Sequence, residues 1–174
     1  MNHPPLKILL ISGDETISHR IRDLLLHAPH EMDLTVEPTT DAGLAMVATN
    51  NFNALLFEIP QMNTAALFQI TRLTIKAPQL PVIVIGPVED ESFLAEAVYS
   101  GAQDYLGGDQ INARVLPHAI CCAIARQQEH LSLVEEKNNY YSLFDHLVEG
   151  IFRTTVEGHY LLANVALARI YGYD

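Results

Sequence analysis

The sequence predicts an α/β fold built on a doubly wound, five-stranded parallel sheet, and three observations carry that prediction. Short, continuously apolar runs such as Lys7–Ile11, Ala54–Phe57 and Val82–Ile85 have the pattern of strands buried on both faces. Segments with apolar residues at helical spacing lie between them. Turn-forming residues punctuate each change: Ser12-Gly13-Asp14, Pro60, Gly86-Pro87 and Gly107-Gly108.

Taken in order, Lys7–Ile11 is the first strand and Asp14 is placed to cap a helix carrying Ile17, Ile21, Leu24 and Leu25, which Ala28-Pro29 closes. Leu34–Val36 is a short second strand. Thr40 or Asp41 starts a helix through Leu44, Val47 and Ala48 that stops at Asn50-Asn51. The third strand, Ala54–Phe57, ends before Pro60, and Ala66, Leu67, Ile70 and Leu73 mark the next helix. Val82–Ile85 is the fourth strand; Phe93, Leu94, Ala97 and Val98 give a helix ended by Gly101; Ala102–Leu106 is the fifth strand. Strands alternating with helices imply right-handed parallel crossovers, and in such sheets function sits at the carboxyl ends of the strands. Here those ends carry Ser12-Gly13-Asp14, Glu58, Gly86 and Gly107-Gly108.

Beyond residue 111 the pattern changes. From Pro117, tolerated in a first helical turn, no breaker occurs before Gly150. Ile120, Ile124, Leu131, Val134, Asn138, Tyr141 and Val148 recur by threes, fours and sevens, with Gln127 and Asp145 falling on the same stripe. The spacing fits a two-stranded coiled coil and equally an exposed or folded-back helix. Residues 150–155 and 159–163 flank Val156-Glu157-Gly158 as a hairpin, and a helix begins at Asn164. The expected organisation is a core at 1–111, a linker helix at 112–149 and a separate segment at 150–174.

Composition narrows the function. The 174 residues carry 21 acidic side chains against 10 Lys and Arg, a formal charge of −11, which disfavours a phosphate-binding surface and so nucleic acid. No apolar run is long enough to span a bilayer, and Met1-Asn2-His3-Pro4-Pro5 lacks the features of a signal peptide; a cytoplasmic location is expected. Cys121 and Cys122 are adjacent on a helix, where side chains diverge, so neither a disulfide nor a metal site is expected. The eight histidines (His3, His19, His27, His30, His118, His130, His146 and His159) are scattered over different elements, and no metal centre is expected of them. No Ser-His-Asp or Cys-His order and no phosphate-binding loop is present, so no catalysis is expected.

The runs Leu9-Leu10-Ile11, Asn53–Glu58, Pro81–Ile85 and Gly101-Ala102-Gln103-Asp104-Tyr105-Leu106 resemble the core strands of response-regulator receiver domains, over roughly residues 6–125. The resemblance implies a flavodoxin-like fold and a defined chemistry. Two acids after the first strand hold Mg²⁺, an Asp after the third accepts a phosphoryl group, and a hydroxyl and a Lys after the fourth and fifth bind its oxygens. On this sequence the acid pair falls on Ser12 and Gly13, the phosphoacceptor on Glu58, the hydroxyl on Gly86 and the Lys on Gly108, so none of the five matches. Tyr105 takes the place of the receiver's switch aromatic. Glu58 reads either as a solvated acid at a strand end or as a carboxylate imitating the phosphorylated state. Under an alternative reading Asp14, Glu15 and Glu58 form a rearranged acidic site with Mg²⁺; otherwise no cofactor is expected.

The run Glu149–Thr155 with Glu157-Gly158, Leu162-Ala163-Asn164 and Ala166–Tyr173 resembles the opening of a PAS sensory domain. About a third of such a domain is covered, so no small-molecule ligand is expected there. Together the resemblances imply a non-catalytic pseudo-receiver of a two-component (phosphorelay) multidomain sensor. It is expected to act through a protein partner or as a homodimer, by its receiver face or its linker helix, without nucleic acid or membrane.

Overall fold

A computed structural model of the chain describes residues 4–87 and 91–173, so His3 lies outside the described residues. The chain divides into two compact units, residues 1–128 and 129–174.

The first unit alternates strand and helix in the order β1 (Leu6–Ile11), α1 (Glu15–Leu26), β2 (Met32–Glu37), α2 (Thr40–Thr49), β3 (Ala54–Glu58), α3 (Thr64–Lys76), β4 (Val82–Gly86), α4 (Glu91–Tyr99), β5 (Asp104–Gly107) and α5 (Val115–His146). The five strands form one sheet of order β2-β1-β3-β4-β5, every pairing parallel. Their side chains feed two cores. Ile8, Leu10, Leu56, Ile83, Ile85 and Leu106 pack with Ile21 and Leu25 of α1 and with Leu116, Ile120 and Ile124 of α5. The alternate residues Leu9, Ile11, Leu55, Phe57, Val82 and Val84 pack with Ile70 and Leu73 of α3 and Phe93 and Ala97 of α4. A strand buried on both faces has no polar side to show, which is why the central strands read as unbroken apolar runs.

Several boundaries differ from expectation for local reasons. β2 is longer than Leu34–Val36, because its backbone pairs with the whole of β1 from Leu6↔Met32 to Ile11↔Glu37. The cap of α2 is Thr39, whose Oγ1 accepts from the Ala42 N–H, rather than Thr40 or Asp41. β5 starts at Asp104, not Ala102, because Gly101 and Ala102 finish α4: the Gly101 and Ala102 N–H groups donate to the carbonyls of Val98 and Ala97. Gly101 does so at φ +102°, the left-handed conformation of a helix C-terminus. Asp14 caps α1 as expected, its Oδ1 accepting from Thr16 N at 2.7 Å and Ile17 N at 3.3 Å.

Helix α5 begins three residues later than the expected linker and ends at His146. Gln127 was expected as a flaw in the apolar stripe. It is instead buried and paired: its Oε1 accepts from Gln103 Nε2 at 2.8 Å, and its Nε2 donates to the Pro78 carbonyl at 2.7 Å. In the second unit, β6 (Phe152–Thr154) and β7 (Tyr160–Ala163) form the antiparallel hairpin, and α6 (Val165–Ile170) follows its cap Asn164. Asn164 is 1% exposed and uses its full hydrogen-bonding capacity. Its Oδ1 accepts from Ile151 N and Leu167 N, and its Nδ2 donates to the carbonyls of Phe144 and Glu149.

Among the described residues, no helix is long and apolar enough to cross a membrane.

Candidate functional site

The parallel register brings the strand ends together. Ile11 pairs with Phe57, Glu58 with Ile85, and Gly86 with Gly107, so Ser12, Glu58, Gly86 and Gly108 stand at adjacent carboxyl ends of β1, β3, β4 and β5. A pocket of about 330 Å³ opens over them, lined by Asp14, Glu58, Ile59, Gly86, Pro87 and Gly108 among others. A second, open pocket of about 730 Å³ lies on the α2 and α3 side and also reaches Ser12, Asp14 and Glu58.

Glu58 is not a solvated strand-end acid. It is 8% exposed, and its Oε2 lies 3.3 Å from Ser12 Oγ, itself 5% exposed. The single Ser12 hydroxyl proton also has the Asp14 carbonyl within 3.2 Å, while the oxygen accepts from the Asp14 N–H at 3.1 Å. Burial raises the Glu58 pKa, the Ser12 hydrogen bond opposes that, and the Asp14 charge adds to it. Asp14, meanwhile, spends its carboxylate on the α1 backbone, and Glu15, next to it, is exposed in the first turn of the helix.

Gly86 is a position where the absence of a side chain is required. A Cβ built there would lie 2.5 Å from Tyr105 Oη and 2.7 Å from Ile59 Cγ1, far inside van der Waals contact. Ile59 is 2% exposed, and its N–H donates to the Ile85 carbonyl at 2.8 Å, which holds the residue after Glu58 against the end of β4. Tyr105 packs edge-on against Phe93, with ring centroids 6.4 Å apart, and its Oη donates to the Pro87 carbonyl at 2.6 Å. Burial pushes its phenol up to about 12. Tyr105 therefore packs, and its hydroxyl is tied to backbone beside the position where the resemblance places the hydroxyl residue. Gly108 continues the backbone pairing, its N–H donating to the Gly86 carbonyl at 2.9 Å.

The structure thus gathers Ser12, Gly13, Asp14, Glu58, Gly86, Gly108 and Tyr105 at one end of the sheet and leaves Glu15 outside both pockets. No Lys or Arg lines the smaller pocket among the described residues. The cation of the larger one, Arg72, is ion-paired with Asp41. Sequence reasoning missed Ile59. The available signal was a large apolar residue directly after Glu58, held in place by the early Pro60.

Among known proteins, no family model matches the chain. A curated relative, the transcriptional regulatory protein CrdR of Helicobacter pylori, is 28% identical over 115 residues, covering 63% of this chain. The matched region spans 53% of that relative, about half its length. Solved structures are similar over the first unit. A CheY-like response regulator receiver domain protein from Methanospirillum hungatei gives a TM-score of 0.61 at 20% identity, covering 73% of this chain and 99% of that one. The signal receiver domain of an HD domain-containing protein from Pseudomonas fluorescens gives 0.59 at 22% identity, over 72% and 99%. HP1043, an orphan response regulator of H. pylori, gives 0.58 at 19% identity, over 70% and 99%. The first unit has the CheY-like, flavodoxin-type fold of response-regulator receiver domains.

Proposed function

We propose that the chain is a non-catalytic pseudo-receiver, a signalling module of the two-component type that works by protein contact and not by phosphoryl transfer. The observation that carries this reading is the filled space at Gly86. Ile59 and Tyr105 occupy the volume in which a receiver's hydroxyl side chain would stand. A phosphoryl group entering the smaller pocket would meet Glu58 and Asp14 with no cation among the described lining residues to offset its charge. Transfer depends on placing reacting atoms to about 1 Å, and a Glu in place of an Asp shifts the acceptor oxygen by a methylene. The homology to a transcriptional regulatory protein and the receiver fold support the signalling role.

In this reading the α5 helix carries the state of the first unit to the second, which is read as the PAS-like opening from its sequence. The rearranged acidic site is the competing reading, because Asp14 and Glu58 do line one pocket. It requires the Asp14 carboxylate, whose Oδ1 caps α1, to serve a cation at the same time.

Incubation with Mg²⁺ and beryllofluoride or acetyl phosphate, followed by mass spectrometry and fluorine NMR, tests the proposal. No adduct is expected. A Mg²⁺-dependent adduct that disappears in Glu58→Gln would overturn it in favour of the acidic site.

A further inference from the structure

Helix α5 changes its surroundings along its length. The stripe positions Ile120, Ile124 and Gln127 are buried within the first unit. From residue 128 to residue 143 every side chain is exposed, on every face of the helix. Exposed apolar residues stand on the continuing stripe: Leu131 at 40%, Val134 at 41% and Tyr141 at 43%. Most helical stability in proteins comes from packing one face against something, and within the second unit this stripe is left exposed.

We infer that the seam Leu131, Val134, Asn138 and Tyr141 pairs with the same seam of a second copy, as a short parallel two-stranded coiled coil. This deepens the proposed function by naming the partner of its output helix, and it rests on that reading only for its purpose. Three features of the sequence and structure select the occupant and its orientation.

The four residues are spaced 3, 4 and 3, the a and d positions of a heptad pattern, and they extend a register that unit one uses up to Gln127. Asn138 falls on an a position. In a parallel pair two Asn138 side chains face one another and hydrogen-bond, whereas an antiparallel pair centred on the seam sets Asn138 against Val134 and leaves its amide unpaired.

The flanking side chains agree. His130 occupies g and Glu135 the following e, so a parallel pair sets His130 of each helix beside Glu135 of the other. The antiparallel pair sets Glu135 against Glu135 and Lys137 against Lys137, which repel. Lys137 instead stays on its own helix, 6.0 Å from the Tyr141 ring. Leu133, Tyr140 and Leu143 are also exposed but lie off the seam, at c and f positions. Tyr140 is stacked on Phe144 within its own chain.

With four core layers, association is reversible and concentration-dependent. Sedimentation velocity on the whole chain over a wide concentration range is expected to show a monomer–dimer equilibrium. Leu131→Asp is expected to weaken dimerisation by at least about 100-fold, since a core leucine is replaced by a charge. Leu143→Asp, at a more exposed position off the seam, is expected to leave it unchanged. Both positions lie outside the buried core, so matching thermal transitions will show that the fold is retained.

Orientation is read from Val134→Cys in a Cys121→Ser, Cys122→Ser background, which is expected to form an interchain disulfide under mild oxidant. A chain that stays monomeric throughout overturns the inference. So does a dimer insensitive to Leu131→Asp, or one that fails to cross-link through position 134. A phosphoryl-mimic adduct on a dimer with an intact seam would overturn the proposed function alone. A monomer without an adduct would overturn the seam alone.

Discussion

Gln127, at the amino ends of β4 and β5, and Glu58, at the carboxyl end of β3, are buried to nearly the same degree, 7% and 8% exposed. Their surroundings treat them in opposite ways. Gln127 is neutral, and both ends of its amide are paired, with Gln103 on β5's approach and Pro78 on β4's. Glu58 is ionisable and has one long hydrogen bond, to a serine whose proton is shared. A buried polar group that is fully paired fixes geometry, while a partly paired one is a standing cost. The first end of the sheet therefore anchors the helix that leaves the unit. The other end gathers Ser12, Glu58, Gly86 and Gly108, with Ile59 and Tyr105 packed against the glycine.

The largest expected effect comes from reopening the closed end. Gly86→Thr places a side chain where Tyr105 Oη and Ile59 already are, and is expected to destabilise the fold by about 3 kcal/mol in urea denaturation. Adding Ile59→Ala should recover part of that loss, so the two changes will be non-additive. If Gly86→Thr is neutral, the space is not filled as described and the contrast between the two ends fails.

The anchored end is tested next. Gln127→Ala strands Gln103 Nε2 and the Pro78 carbonyl, and a loss of about 2 kcal/mol is expected by the same measurement.

The smallest effect separates the two ends by pH. The Glu58 pKa is raised in the folded state, so folding disfavours its charged form. Its penalty is full above the folded pKa and absent below the unfolded one. Glu58→Gln is therefore expected to melt above the wild type at neutral pH. The gap should shrink as acidification carries the wild type through that window. Gln127→Ala, which changes no titrating group, should show a pH-independent offset.

Much of the fold was legible because the central strands are buried on both faces and the breakers are strong: Pro60, Gly86-Pro87 and Gly101 each mark a real end or turn. What was not legible depends on partners far away in sequence. Gln127 looked like a defect in an apolar stripe because its partners, Gln103 and Pro78, are 24 and 49 residues away. Glu58 looked solvated because a strand-end acid usually is, and its burial depends on the Ser12 and Ile59 side chains. The substitution of five receiver positions could be read residue by residue. That Ile59 and Tyr105 fill the space beside Gly86 could not, because packing has no motif. β5 was set two residues early because Gly101-Ala102 read as strand when their N–H groups were already committed to the end of α4.

The filled space at Gly86 also constrains how this end of the sheet could be changed towards the receiver residues that the resemblance implies. A hydroxyl at position 86 is sterically opposed until Ile59 shrinks or Tyr105 swings away. An Asp at position 12 would remove the Glu58 hydrogen-bond donor and add a third carboxylate beside Asp14 and Glu58. A Lys at 108 would come first only as an added charge with no phosphate to bind. The change at position 86 thus meets a steric barrier and that at position 12 a like-charge one, whereas a cation at 108 would stand by Asp14 and Glu58. The packing behind one glycine thus couples three neighbouring positions: a side chain introduced at position 86 has to be matched by changes at positions 59 and 105.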